Sequence, residues 1–421
     1  MEQGKMKGFD FSRYALTSCV AAVMLAGCGG SQPPIGAPFS SSATAERTRT
    51  SVTYRVLYSF RGSADGASPE AGLAEVGGSL YGTTYLGGLQ HCVHKRSFCG
   101  TTFAITTSGA ETQLYSFRGP TRKDGANPLA GLIDVDGTFY GTTEFGGGGA
   151  HTLGTVYSIT PSGSEAVLYR FNGGRRDGAL PYAGLTEVNG TLYGTTSAGG
   201  PGGGTVYSIT TSGTETVLHT FGRGDGLRPL AGLLNVKGTL YGTTVAGGKT
   251  GCYDQRGCGT VFSVTTSGKE SVLYSFTGTS GDGANPNARL INVKGKLYGT
   301  TPLGGTYTRG TVFSIGATGT EQLLHRFGSG SDGASPETGL INVKGKLYGT
   351  TEAGGTNNHG TVFAITTSGT ETVLHSFGGP PNDGAFPVAG LLYVNGTLYG
   401  TTAGGGAYGS YGYGTVFALT P

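Results

Sequence analysis

The chain reads as all-β: a seven-bladed β-propeller of four-stranded antiparallel blades, closed by pairing of an N-terminal strand with the last blade. Three observations predict this. The tetrapeptide Tyr-Gly-Thr-Thr occurs seven times, with its tyrosine at Tyr81, Tyr140, Tyr193, Tyr241, Tyr298, Tyr348 and Tyr399, at spacings of 59, 53, 48, 57, 50 and 51 residues. Self-similarity at that period marks a repeat architecture. Each repeat also holds four short apolar runs rich in Val, Ile, Leu, Tyr, Phe and Thr, and none carries the 3.6-residue periodicity of a helix. Finally, Gly is 83 of 421 residues, which suits many tight turns and suits long helices poorly.

In the second repeat the four runs are residues 130–135, 138–143, 154–160 and 165–171. The first and second are joined by Asp136-Gly137, and the equivalent pairs include Asn189-Gly190 and Asn395-Gly396. Asp-Gly and Asn-Gly favour the positive φ of a two-residue hairpin. A second short turn, Ser162-Gly163 in this repeat, joins the third run to the fourth. The second-to-third connection varies, from residues 197–203 to residues 85–99. The unit is therefore a four-stranded meander of about 50 residues, the size of a propeller blade. A fourth run follows each of the first six repeats but not the seventh, which stops just past its third run. The missing copy is residues 56–60, ahead of the first repeat. Pairing it with residues 414–420 completes seven blades and leaves no open edge. A parallel β-helix would have shorter coils and would not need two hairpins per unit.

Ahead of the repeats, residues 1–27 have the form of an export signal. Lys5, Lys7 and Arg13 precede a mostly apolar run that ends in Leu25-Ala26-Gly27-Cys28, and such a segment stands outside the fold. The pattern resembles the bacterial lipoprotein signal, which implies a lipid on Cys28; the bland reading is an ordinary secretory signal. Residues 28–51 would be a Gly-, Pro- and Ser-rich tether, and residues 52–421 the propeller. Two close cysteine pairs, Cys92 with Cys99 and Cys252 with Cys258, fall in the longest second-to-third loops, those of blades one and four. In an exported protein they read as disulfide staples. A metal site built on His91, Cys92, His94 and Cys99 is the sharper alternative, but it lacks the paired short spacings of structural zinc.

Residues present in every blade are expected to be scaffold. An aspartate (Asp65, Asp124, Asp177, Asp225, Asp282, Asp332, Asp383) heads each Asp-Gly turn, with Pro four residues on, and should bond its own turn amides. The Thr-Thr pairs should satisfy buried backbone groups, and His219, His325 and His375 stand where other blades have Tyr. The row Glu75, Asp134, Glu187, Asn235, Asn292 and Asn342 is expected to line a water-filled channel. The glutamates Glu111, Glu165, Glu215, Glu270, Glu321 and Glu371 are expected to form a solvated rim on the opposite face from the long loops. Functional residues are sought where blades differ, on the long-loop face: His94, Arg96, Phe98, Tyr253, Asp254 and Arg256 are the candidates for partner binding, with Glu144, Tyr307, Glu352, Tyr408 and Tyr411 also departing from the repeat.

With five elements recurring in order (LYGTT, the following Gly-Gly, GTVF, VLYSF and Asp-Gly-Ala-x-Pro), residues 52–421 resemble the bacterial GloVer-type (Gloeobacter/Verrucomicrobia) tandem repeat proteins. That resemblance implies the repeat fold and, in some members, an anchor, but no assigned activity. Net charge is only +3 with 13% charged residues, so no basic stripe follows a phosphate backbone and nucleic acid is not an expected partner. No catalytic residue, metal or cofactor is assigned. There is no G-x-S-x-G elbow or phosphate loop, and Glu144 and Glu352, in non-adjacent blades, form no obvious glycosidase pair. The expectation is a monomeric, non-catalytic binding or scaffold module, held at the envelope membrane through its lipid alone, with an envelope protein or glycan on the long-loop face. The alternatives are an envelope polysaccharide hydrolase or lyase, or a purely structural lipoprotein.

Overall fold

A computed structural model describes residues 52–89, 99–148, 152–249, 252, 256–279, 281–316, 319–328 and 330–421. They form seven four-stranded antiparallel sheets. In blade one, from the channel outward, the strands are Ala74–Val76, Ser79–Thr84, Thr101–Thr106 and Glu111–Ser116. Blade seven is assembled from both ends of the repeat region: Leu392–Val394, Thr397–Thr402, Thr415–Thr420 and, outermost, Thr53–Ser59. The closing strand runs antiparallel to the last one, from Thr53 opposite Thr420 to Ser59 opposite Thr415. Closure is thus as the repeat count predicts, with the strand starting three residues earlier than its apolar run. Two features were not legible in sequence. The innermost strands are only three residues long, so Ala130, Gly131 and Leu132 precede Ile133–Val135 rather than extending it. In addition, the Asp-Gly-Ala turn pairs with the segment after Tyr-Gly-Thr-Thr, as in Gly125–Ala126 with Phe145–Gly146.

The core lies between blades. Each outer strand ends in a fully buried phenylalanine whose ring meets an aromatic on the third strand of the next blade. Phe60 meets Phe103 across the seam, and Phe117–Tyr157, Phe171–Tyr207, Phe221–Phe262, Phe276–Phe313, Phe327–Phe363 and Phe377–Phe417 repeat the contact at 4.9–5.3 Å between ring centres. The glycine of Tyr-Gly-Thr-Thr makes room for this ring: a Cβ at Gly82 would sit 2.6 Å from Phe103 Cζ. The first threonine then reaches across the junction. Thr83 Oγ1 donates to the Ala130 carbonyl at 3.1 Å, and the series runs round to Thr401, which donates to Ala71 at 3.1 Å. The second threonine stays within its blade, as Thr84 Oγ1 does with Thr101 Oγ1 and the Leu86 carbonyl, both at 2.8 Å. A ring of backbone bonds runs beside these, from Asn127 N to Cys99 O at 2.7 Å through to Ser68 N to Tyr413 O at 2.9 Å.

The turn aspartates bond their own turns as expected. Asp65 accepts from Arg61 N and from the Tyr58 hydroxyl, both at 2.9 Å, and His219 and His375 take the tyrosine's place at 2.9 and 3.0 Å from Asp225 and Asp383. The glutamate rim needs correction. Glu111, Glu165, Glu215, Glu270, Glu321 and Glu371 are half-buried at blade junctions, not solvated. Burial first, and then the charge of the junction aspartate (Asp65 for Glu111, Asp332 for Glu371), pushes each carboxyl up to about 7. One Oε1 of each is buried without a hydrogen-bond partner. At the junction of blades six and seven, Tyr54 of the closing strand occupies the glutamate's place. Its hydroxyl donates to Asp383 at 2.5 Å and its ring stacks on His375 with centres 3.6 Å apart.

Two outcomes follow from this packing. Phe60→Ala should cost about 3–5 kcal/mol, because it removes a fully buried ring from the seam, and deleting residues 51–60 should lower the melting temperature further; an unchanged thermal transition in either variant would contradict closure by this strand. The junction glutamates make stability depend on pH. Their folded pKa lies above the unfolded value, so the folded state holds more protons between about pH 4.5 and 7. Their contribution is complete below that window and is lost as pH rises through 7. The melting temperature should fall from pH 5 to pH 8, and the double variant Glu165→Gln, Glu215→Gln should flatten that slope, whereas a profile that rises over the same range would refute it.

Candidate functional site

The inner strands enclose a central channel with a cavity of about 690 Å³. Its wall comes from one tripeptide per blade, Ala-Gly-Leu in most, in which the alanine and leucine are buried and the glycine faces the channel. Gly72, Gly131, Gly184, Gly232, Gly339 and Gly390 occupy six of the seven places. Successive backbones come so close here that a Cβ at Gly131 would stand 2.6 Å from the Gly72 carbonyl oxygen. The seventh place, in blade five, holds Arg289.

Arg289 is exposed to the channel solvent. Its Nε donates to the Leu233 carbonyl of the preceding blade at 3.0 Å. No carboxylate is paired with it among the described residues, and burial alone lowers its guanidinium pKa below the usual arginine value. The polar row predicted along the inner strands does not answer this charge. Glu75, Glu187, Asn235, Asn292 and Asn342 instead accept from the glycine amide of their own hairpins, at 2.5–3.3 Å. Asp134 and Glu187 still border the channel, but their repeat position lies three residues beyond that of Arg289, roughly 10 Å along a strand.

At the long-loop side, sequence reasoning missed a buried cluster. Glu144, 5% exposed, stands where other blades have Tyr85, Ser197 or Val245. It accepts from Tyr182 Oη at 2.8 Å and from Tyr85 Oη at 3.1 Å. Burial raises its pKa, and the two tyrosine bonds oppose the rise. Both phenols are raised in turn, by burial and then by the Glu144 charge. The three residues come from blades one, two and three, so no local pattern could have revealed them. Chemically, the arrangement is a covered carboxylate braced by two hydroxyls.

Of the predicted loop residues, Cys28, Cys92, His94, Arg96, Phe98, Tyr253 and Asp254 lie outside the described residues. Arg256 is exposed, and its carbonyl accepts from Gly247 N at 2.7 Å. Cys252 and Cys258 are joined by a disulfide with Cα atoms 5.3 Å apart. Cys99 is buried and disulfide-bonded. Cys99 and Cys258 each pack in an inter-blade cluster beside a phenylalanine, Phe117 and Phe276. Elsewhere on this face Tyr307 and Tyr411 are 59% and 83% exposed, and the Arg61 guanidinium lies 5.6 Å from the centre of the Tyr408 ring. Two junctions, His219–Asp225–Glu270 and His325–Asp332–Glu371, each bring three possible metal-ligand atoms within 4.8 Å of one another. Tyr58 and Tyr115 make the same bond to their aspartates in place of the histidine, at 2.9 and 2.8 Å, so this geometry is a scaffold feature that needs no ion.

No curated protein matches the chain. Among solved structures, a gluconolactonase from Xanthomonas campestris is similar over 63% of this chain and 78% of its own, with 12% sequence identity and a TM-score of 0.37. The model of the Gloeobacter/Verrucomicrobia repeat matches residues 41–203 and 201–417, and with the repeat, the junctions and the closure described above, the chain belongs to that repeat family.

Proposed function

We propose that this protein is a non-catalytic binding or scaffold module of the bacterial cell envelope, carried by a lipid on Cys28, that offers its long-loop face to an envelope protein or glycan. The observation that carries the reading is the division of labour among residues. The repeated hydroxyls and turn carboxylates are engaged within the scaffold, whereas exposed side chains that break the repeat, Tyr307, Tyr408 and Tyr411, stand on the second-to-third loops. Tyrosine offers large contact area at low ordering cost, and loops on a rigid scaffold are where binding residues concentrate. The Cys252–Cys258 bond shortens the free part of one long loop, which reduces the ordering a partner would have to impose. Glu144, a buried carboxylate of this face, is committed to two tyrosines and covered from solvent, a poor arrangement for a group that must reach a glycosidic bond.

Two measurements test the reading. Cys28→Ser should move the protein from the membrane fraction to the soluble pool; a variant that stays with membranes after a high-salt wash would remove the lipid anchor from it. Against an envelope-glycan array and an envelope-protein pull-down, shortening residues 85–99 or 245–258 to the seven-residue length of 197–203 should weaken capture while the melting transition survives. If both shortened variants capture partners normally, the binding face is assigned wrongly.

A further inference from the structure

We propose that the central channel holds a small ligand by an oxyanion, a carboxylate or phosphate group, through the guanidinium of Arg289. The site is separate from the long loops and does not rest on their assigned role.

The first support is the break in the repeat. Six blades place glycine at this point of the channel wall and blade five alone places arginine. The scaffold does not require a side chain here, since the six neighbouring blades close without one. Filling space would call for an apolar residue. A guanidinium brings a permanent charge and a planar set of donors that matches two oxygens of a carboxylate or phosphate.

The second support is the state of that charge. The bond from Nε to the Leu233 carbonyl orients the side chain but supplies no counter-charge. Asp134 and Glu187 lie further along the channel, and no carboxylate is ion-paired with Arg289 among the described residues. The guanidinium faces channel water with no carboxylate beside it, so an incoming anion meets an unpaired charge and does not have to displace an existing ion pair. Low-dielectric walls also strengthen the attraction over its value in bulk water.

The third support is size and lining. About 690 Å³ falls within the range of small-molecule sites, which combine mostly apolar walls with a few placed polar groups. Here the half-buried Ile133, Leu234, Ile291 and Ile341 supply apolar surface beside the glycine backbones.

The test is isothermal titration of the full-length protein with inorganic phosphate and, separately, with citrate, at constant ionic strength. At least one should bind saturably, and which of the two binds more tightly decides between phosphate and carboxylate. Arg289→Gly restores the residue of the other six blades, so the fold should survive, and affinity should fall on the order of tenfold or more, as expected for loss of a charge-assisted bond. Arg289→Lys keeps the charge without the planar fork and should bind with intermediate affinity. A role as a brace alone would instead show as a lowered melting temperature in Arg289→Gly with anion binding unchanged. Failure of the wild-type protein to bind either probe, or equal binding by wild type and Arg289→Gly, overturns the proposal. Because the glycine variant leaves every loop intact, either result is independent of partner capture on the loop face.

Discussion

Seven ring-on-edge contacts, one per blade junction, set the geometry on which the rest of this molecule depends. A phenylalanine closing each outer strand meets the third-strand aromatic of the next blade, with ring planes 66–76° apart. Such pairs contribute about 0.5–1.5 kcal/mol each beyond the area they bury. The larger consequence is geometric. The third-strand ring lies over the glycine of Tyr-Gly-Thr-Thr, where any side chain would collide, so the motif's glycine and the aromatic pair are one constraint seen from two strands. With the blades held at that spacing, the first threonine of the motif reaches the neighbouring backbone at every junction, including Thr401 to Ala71 across the seam. A chain without tryptophan thereby builds its seven inter-blade ring pairs from phenylalanine and tyrosine alone.

The junctions also have an electrostatic side. Each turn aspartate is held by backbone amides and by a tyrosine or histidine of the outer strand, and in six junctions a glutamate of the next blade lies beside it. Two carboxyl groups so placed cannot both ionise cheaply, and burial together with the neighbouring aspartate makes the glutamate hold its proton to higher pH than a free carboxyl would. Between blades six and seven, Tyr54 of the closing strand substitutes for the glutamate, and its hydroxyl donates to Asp383. There the closing strand replaces a second acid with a hydrogen-bond donor, and the stack on His375 adds contact to a strand that must find its partner from the far end of the chain. Non-local pairing of this kind carries the largest loop-closure cost in the fold.

Against so regular a scaffold, departures from the repeat are the residues on which the proposed binding roles rest. Arg289 replaces a channel glycine at a place where the backbone needs no side chain. Tyr307, Tyr408 and Tyr411 project from loops whose counterparts differ in length and composition. Glu144, by contrast, departs from the repeat but is absorbed into a buried bond with two tyrosines, so variation alone is not a sufficient sign. What separates the two kinds of departure is accessibility: Arg289 and the loop tyrosines face solvent, and Glu144 does not.

The sequence by itself determined the strand count, the hairpins, the seven-fold repeat and the closing strand, because all of these follow from local turn chemistry and from a period that can be counted along the chain. It also marked the turn aspartates and the threonine pairs as scaffold, since a group present in every unit answers a need that every unit has. Only the tertiary structure decided what meets across a junction. Glu111 faces Asp65, Glu144 binds Tyr182, and Arg289 bonds to Leu233, contacts between residues about 40 to 60 positions apart that no spacing rule predicts. The same holds for the inner polar row: alternation along a strand placed it at the channel, where Asp134, Glu187 and Asn235 border the cavity, but the bonds that most of its members make to their own hairpin amides belong to the folded turns. Local geometry is written in neighbouring residues; the environment of a charge is set by whatever the ring brings beside it.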